Sequence, residues 1–360
     1  MGLETVLKFE LFDLGYKDLT IDNGSISFMG TLNDVIKCNL WCRTAGRVFV
    51  EIASFKAMSF DDLFEAVIKV DWSEWLEKDT KVTIDSVNSS NSELFSKSDI
   101  QSISKKAIVN YMQKKYKVRQ LPETGYHVPI RIIINKNMVS IRLDTSGHGL
   151  NKRGYRTRFD APLRETLAAA IIKLSRWDPK NDVLLDPFCG SGTILIEAAM
   201  IANNIAPGLN QSFVSEDWPI FKNSAWEKAK SEARSSITPY PFRIYGSDQN
   251  PDILKTARFN LKRANIEGVF VETKPFDQIQ SRFEKGKIIC NPPYGIRLEE
   301  AATTHKLYVT MGHHLRKNFS AWNFYILTGE ENFEEYFNKK ATKKRKLFNG
   351  NIRCDLYQYF

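Results

Sequence analysis

The sequence predicts an α/β protein in which an open parallel sheet, with helices on both faces, follows two small α+β modules. Three observations predict it. From 161 to 360, helical segments alternate with short, near-continuous apolar runs, as strands buried on both faces require. Residues 1–58 and 59–150 instead mix alternating strands with amphipathic helices. Residues 145–160 carry no apolar period, and 151–160 form a basic linker between the two regimes.

Each element has its own signal. In 1–58, Val6 to Leu11 is a strand or a helix start, and Ser25 to Phe28 alternates as a strand. Thr31 to Arg43 has helical spacing, and Val48 to Ile52 is the module's next strand. In 59–150, Ser59 is a candidate N-cap for a helix from Phe60 to about Val70. Lys81 to Val87 alternates as a strand, and Asn88 opens a polar loop through Ser92. Asp99 is a candidate cap for a helix from Ile100 to Tyr116. His127–Asn135 and Met138–Asp144 are strands around an Asn-Lys-Asn turn. In 161–360 the order is helix Pro162–Leu174, strand Asp182–Asp186, helix Ile194–Asn203, strand Arg243–Asp248 and helix Pro251–Ala264. Strand Lys287–Cys290, helix Thr303–Phe319 and strand Trp322–Leu327 follow. Lys339-Lys340 and Lys343 to Lys346 form a basic run, expected as a solvated turn before a final strand or as a phosphate contact.

Composition narrows the class. Lys plus Arg number 51 against 42 Asp plus Glu, a formal charge of +9, which fits a polyanionic partner without requiring one. Apolar residues are 42% and charged residues 26%, which excludes collagen-like and wholly disordered chains. No apolar run reaches the length of a membrane span, and the first residues lack the pattern of a signal peptide. The 5 cysteines are scattered in apolar contexts, as reduced thiols in a cytoplasm are. No metal is expected. Cys38 and Cys42 have no second ligand pair nearby, and His305, His313 and His314 do not make a shared i, i+4 face.

Two motifs carry chemistry. Asp186-Pro187-Phe188-Cys189-Gly190-Ser191-Gly192-Thr193 follows a buried strand and opens a helix. Ligands of doubly wound sheets bind at such carboxyl ends. Gly190 and Gly192 allow close approach to the backbone, and the helix start offers free amides. The third glycine of a dinucleotide fingerprint is missing, and no Gly-Lys-Ser/Thr of a phosphate loop follows. An acid at the head of the loop repels phosphate. Asp186 together with backbone amides suits a zwitterion, such as the methionine end of S-adenosyl-L-methionine. Phe188 is a candidate to pack beside that cofactor, although any core Phe looks alike, and Thr193 belongs to the same loop. The competing interpretation is an ordinary strand–helix turn.

The second motif, Asn291-Pro292-Pro293-Tyr294, follows the strand Lys287–Cys290. Two prolines stiffen the loop and remove two N–H donors, so it presents carbonyls. The Asn291 oxygen and the Pro292 carbonyl can accept from one exocyclic NH₂ group, while Tyr294 can stack on a flat ring. A base amine is a poor nucleophile because its lone pair is delocalised. Two acceptors would orient it, and positioning and electrostatics would dominate over base catalysis. Stacking on Tyr294 requires the base to leave its helix. The bland alternative is a proline-stiffened loop.

With both motifs in order, the chain resembles class I S-adenosylmethionine-dependent amino-methyltransferases. More narrowly it resembles the THUMP-domain RNA methyltransferases of the RlmL-like 23S rRNA guanine-N2 family. Leu143 to Gly147, Lys152 to Arg156, Ala161 to Ala169, Ile205 to Gly208 and Asn291 to Gly295 support the resemblance. It implies a ferredoxin-like module over 1–58, a THUMP RNA-binding domain over 59–150 and a Rossmann-like methyltransferase domain over 161–360. It implies that Asp248 takes the cofactor's ribose hydroxyls, that Asp277 meets its adenine amine and that Asn291 borders the cofactor. An insertion over 204–240, with Trp218 and Trp226, separates Asp248 from the glycine turn more widely than the usual spacing of about 20 residues. Asp217 is the alternative acid, but no apolar strand precedes it.

The partner implied is RNA: 23S rRNA or a large-subunit assembly intermediate. Lys152, Arg153, Arg156 and Arg158 crowd the linker and are candidate phosphate contacts, or a solvated connector. The motif itself suits adenine N6 as well as guanine N2, on RNA or DNA. A release-factor glutamine methyltransferase would not need the first 150 residues. The rival from another class is a non-catalytic RNA-binding ribosome assembly factor.

Overall fold

The computed structural model describes residues 2–156, 163–222, 224–295 and 298–360, with the backbone alone for 298–301. The first part runs α1 (Glu4–Asp13), β1 (Thr20–Asp22), β2 (Ser25–Ser27), α2 (Leu32–Trp41), β3 (Phe49–Lys56), α3 (Phe60–Val67), β4 (Lys81–Ser90), α4 (Lys97–Tyr116), β5 (His127–Asn135) and β6 (Met138–Asp144). The ambiguous Val6–Leu11 segment is helical. Ser59 caps α3 by accepting from the Asp62 amide at 3.1 Å, and Asp62 returns a bond to the Ser59 amide at 3.0 Å, a reciprocal cap. The next helix begins earlier than expected, with Asp99 inside its first turn.

Two expectations about strands are corrected. β4 continues past Asn88 to Ser90, because the apolar partner strand β5 keeps pairing with it as far as Ser90 and Asn135. β3, expected to complete the first module, instead pairs with β6 and forms the edge of a four-stranded sheet ordered β3-β6-β5-β4. The alternating pattern of Val48–Ile52 shows a strand but not its neighbour, which register alone decides.

The second part continues as α5 (Glu165–Ser175), β7 (Val183–Asp186), α6 (Thr193–Ala202), α7 (Ala225–Ser235), β8 (Arg243–Asp248), α8 (Pro251–Arg263), β9 (Phe270–Thr273), β10 (Lys287–Cys290), α9 (Leu298–Asn318), β11 (Asn323–Thr328), α10 (Phe333–Phe337), β12 (Lys343–Asn349) and β13 (Ile352–Tyr359). Seven strands pair in the order β12-β13-β11-β10-β7-β8-β9. From β11 to β9 they are parallel, and β12 and β13 form an antiparallel hairpin at one edge. The basic run 343–346 is therefore in an edge strand and not in a turn. Charged residues on an edge discourage further pairing.

Strand residues alternate between two cores. Leu184, Ile289 and Leu327 face one, and Val183, Leu185, Ile288, Cys290 and Ile326 face the other. Both faces are covered, so the parallel strands read as apolar runs. The chain leaves β7 in one direction to β8 and returns on its other side as β10. The crevice at this switch point, above the carboxyl ends, is where such sheets bind ligands.

The 204–240 insertion ties the two parts together. Trp218 and Trp226 are buried in the core of the first part, with Phe213 and Phe221. The Trp218 indole donates to the His127 carbonyl at 2.8 Å, and the Ser215 hydroxyl to that of Thr145 at 2.8 Å. A Cβ on Gly208 would stand 2.6 Å from the Asn39 carbonyl oxygen, so only glycine permits this approach.

Candidate active site

Asp186 ends β7, Asp248 ends β8 and Asn291 follows β10, so three loops meet over the switch point. Asp186 is 1% exposed. One carboxylate oxygen accepts from the Phe188 amide at 3.1 Å, and the other has no partner among the described residues. Burial pushes the carboxyl well above its usual range, and the neighbouring Asp248 adds to the rise. A buried carboxylate without a cation is costly, and a ligand that brings positive charge removes that cost.

The glycine turn is open on the ligand side. Gly190 has φ +50°, and a Cβ there would meet nothing within 4 Å. Its amide donates to Asp248 at 3.1 Å, while Asn250 donates to the other oxygen of the same carboxylate at 3.0 Å. Asp248 is half-buried and stands over the loop, despite the insertion. Gly192 has φ +83° and packs on Ala257. A third glycine that sequence reasoning passed over, Gly246, lets β8 approach the loop: a Cβ there would lie 2.4 Å from Leu195.

The other candidate residues divide. Phe188 stacks on Phe276, ring centroids 5.0 Å apart and planes at 18°. This stack bounds the crevice and carries Asp277, exposed on the adjoining turn Phe276–Gln278. The Thr193 hydroxyl is taken by Arg156, which donates to it at 2.7 Å. Cys189 is buried. Burial, then Asp186 and Asp248, push its thiol well up, so it is no nucleophile near neutral pH.

The Asn291–Tyr294 loop is pinned from behind. The Tyr308 hydroxyl, on α9, donates to the Pro293 carbonyl and lies 2.8 Å from the Thr328 hydroxyl. Pro292 is buried and its carbonyl has no hydrogen-bond donor among the described residues. The Tyr294 phenol, pushed up by burial and so a proton donor, donates to the Asn291 side-chain oxygen. Its ring lies against Gly329, where a Cβ would come within 3.3 Å. Stacking by Tyr294 therefore requires the phenol to release Asn291 first. Tyr308 was not singled out from sequence, because a helix-borne Tyr carries no signal of what its hydroxyl reaches.

The linker expectation is corrected for Arg153. It is 2% exposed. Its guanidinium pairs with buried Glu197 at 3.3 Å and donates to the carbonyls of Leu150 and Arg43. It is an internal tie between the two parts, not a surface for phosphate. Arg156 is half-buried, pairs with Glu165 at 3.2 Å and donates to the Leu163 carbonyl at 2.7 Å. Lys152 faces solvent, and Arg158 lies outside the described residues. Local sequence shows the charges but not the carboxylates that claim them.

No group of His, Cys, Asp and Glu suited to a metal occurs among the described residues. His305 faces Glu330 at 3.2 Å and stacks on Tyr336, and His314 bonds the Ile279 carbonyl at 2.8 Å. No helix among the described residues is long and apolar enough to cross a membrane.

A seven-stranded sheet with an antiparallel edge hairpin, an acid at the end of its first strand, a glycine turn and an Asn-Pro-Pro-Tyr loop across the switch point defines a class I, S-adenosylmethionine-dependent methyltransferase. The buried Asp186, unpaired among the described residues, and the open cradle at Gly190 fit that cofactor. Comparison with known proteins agrees. Residues 153–358 match the family described as RMKL-like, methyltransferase domain; 1–49 match the RlmL ferredoxin-like domain and 57–144 the THUMP domain. The chain belongs to this RMKL-like methyltransferase family.

Among curated relatives, YpsC of Bacillus subtilis (strain 168) is 42% identical over 366 residues, covering 100% of this chain and 94% of the relative. The ribosomal RNA large subunit methyltransferase K/L of Psychromonas ingrahamii is 36% identical over 99% of this chain, which spans 49% of that longer protein. Among solved structures, SMU.472 in complex with SAH superposes with TM-score 0.93 at 37% identity, covering 100% of this chain and 95% of the other. A Listeria monocytogenes protein named as an N6-adenine-specific DNA methylase superposes with TM-score 0.94 at 40% identity, covering 100% and 93%.

Proposed function

We propose that this methyltransferase acts on the exocyclic N2 amine of a guanine in RNA, with 23S rRNA or a large-subunit assembly intermediate as its substrate. The THUMP match and the name of the K/L relatives support RNA and the large subunit. The observation that carries the chemistry is the pairing of a buried Asp186, without a cation among the described residues, with two acceptors, Asn291 and Pro292, across one switch point.

Asp186 and the Gly190–Gly192 turn hold the methionine end of the cofactor, Asp248 the ribose, and Asp277 the adenine beside the Phe188–Phe276 stack. When bound, the cofactor supplies an electrophilic methyl group. Asn291 and Pro292 accept the two N–H bonds of the target amine and aim its lone pair. Asn291 is not a strong base, so the surplus proton leaves to water after transfer. Positioning and electrostatics supply the acceleration. Tyr294, once released from Asn291, stacks on the extruded base. Lys152, with Arg158, contributes phosphate contacts.

The test is labelled methyl transfer to RNA lacking the modification, read by nucleoside mass spectrometry. N2-methylguanosine that is lost in Asn291→Ala supports the reading. N6-methyladenosine, or transfer to DNA alone, would favour the chemistry named for the Listeria protein. Cofactor binding without transfer to naked RNA or ribosomal particles would favour the assembly-factor reading.

A further inference from the structure

The hairpin between β12 and β13 turns at the carboxyl end of the sheet. Its last pair is Asn349 with Ile352, and Gly350 makes the turn with φ +66°. Ile352 lies beside Gly329, against which the Tyr294 ring also packs. The Asn349 side-chain oxygen accepts from the Arg164 backbone amide at 3.4 Å, and the Asn349 side chain interacts with the Tyr294 phenol. Asn349 thus stands between the backbone of Arg164 and the phenol that bonds Asn291.

Arg164 is exposed and forms no ion pair among the described residues. Its guanidinium lies against Gly350: a Cβ there would stand 3.6 Å from one Nη and 4.0 Å from both Cζ and Nε. Its N–H groups have no carboxylate partner among the described residues. The neighbouring Arg153 and Arg156 are both consumed by internal carboxylates.

We propose that Arg164 reads the target base, donating its N–H groups to guanine O6 and N7 while the N2 amine sits at Asn291. The inference rests on the guanine reading and deepens it. Guanine presents two adjacent acceptors, which match an arginine fork, whereas adenine places an amine donor at the first of them. The Asn-Pro-Pro-Tyr loop does not distinguish the two bases, and Arg164 does.

The test uses the full chain and the RNA segment in which mass spectrometry locates N2-methylguanosine. That segment is made with guanosine or with 2,6-diaminopurine ribonucleoside at the acceptor position. Both carry the N2 amine, but the second replaces O6 by a donor. Wild type is expected to prefer guanosine by about 5- to 150-fold in kcat/KM, the range of a bidentate arginine contact. Arg164→Ala loses that factor on guanosine and keeps its rate on diaminopurine, so the preference collapses. Arg164→Lys keeps the charge without the fork and loses most of the preference. Cofactor binding by calorimetry stays unchanged in both variants. An equal loss on the two RNAs, no preference in wild type, or loss of cofactor binding in Arg164→Ala overturns the assignment. If wild type makes no N2-methylguanosine at all, the guanine reading itself fails, before any variant is compared.

Discussion

Asp186→Asn separates what the site costs the fold from what it gives the ligand. In the free protein the carboxyl is buried, has one amide donor and no cation among the described residues, and its pKa is raised by burial first and by Asp248 second. A folded-state pKa above the unfolded value means that the folded chain binds the proton more tightly. Stability is then fullest below the ordinary carboxylate range and declines as pH rises toward the raised folded value. Asn keeps an acceptor for Phe188 and removes the charge. Relief of an unpaired buried group is worth about 1–3 kcal/mol, which is about 2–12 °C in Tm at 2–4 °C per kcal/mol for a domain of this size. The ligand reverses the balance: at one hundred times its Kd a cofactor adds about 2.7 kcal/mol in wild type. Thermal unfolding of both proteins at pH 6 and pH 8, with and without S-adenosylmethionine, measures each part. The free variant should melt higher than free wild type, more so at pH 8, and gain nothing from the cofactor. A variant that keeps the cofactor-induced shift, or that melts lower when free at pH 8, refutes the reasoning.

Four further outcomes follow from the same geometry. Arg153→Ala leaves Glu197 buried and unpaired, so it should destabilise by about 3–5 kcal/mol in thermal or urea unfolding, while the salt dependence of RNA binding keeps its slope. Tyr294→Phe removes the donor that competes for Asn291, so KM for RNA should fall by about 2- to 10-fold, the worth of one hydrogen bond. Tyr294→Ala should raise it, because stacking is worth about 1–3 kcal/mol. Equal rises in both variants would show that the hydroxyl aids binding. Gly246→Ala forces a Cβ to 2.4 Å from Leu195 and should cost about 1–3 kcal/mol of stability. Gly190→Ala meets open space but places a Cβ at φ +50°, so it should cost about 1–2 kcal/mol of stability and also lower cofactor affinity.

The alternation of apolar runs with helices made the parallel core of the sheet legible, because strands buried on both faces need no partner to be recognised. Of the hairpin at its edge, the final strand was legible but β12 was not, because Lys343–Asn349 opens with four basic residues and reads as a turn. Asp186, the glycine turn and Asn291 were readable because their roles depend on local backbone shape. Arg153 was misread because the carboxylate it pairs with, Glu197, is 44 residues away on α6. Arg164 and Tyr308 went unnoticed for the same reason: what each touches comes from a distant strand. The insertion showed its tryptophans, but not that they complete the core of the first part.

The most direct test of the central claim is the product of methyl transfer by the wild-type chain and by Asn291→Ala on RNA that lacks the modification. N2-methylguanosine from wild type, and its loss in a variant that still binds S-adenosylmethionine, is the predicted result. A variant that retains N2-methylguanosine formation would contradict the role of the Asn-Pro-Pro-Tyr acceptors, and a wild-type product on any other base would contradict guanine as the target.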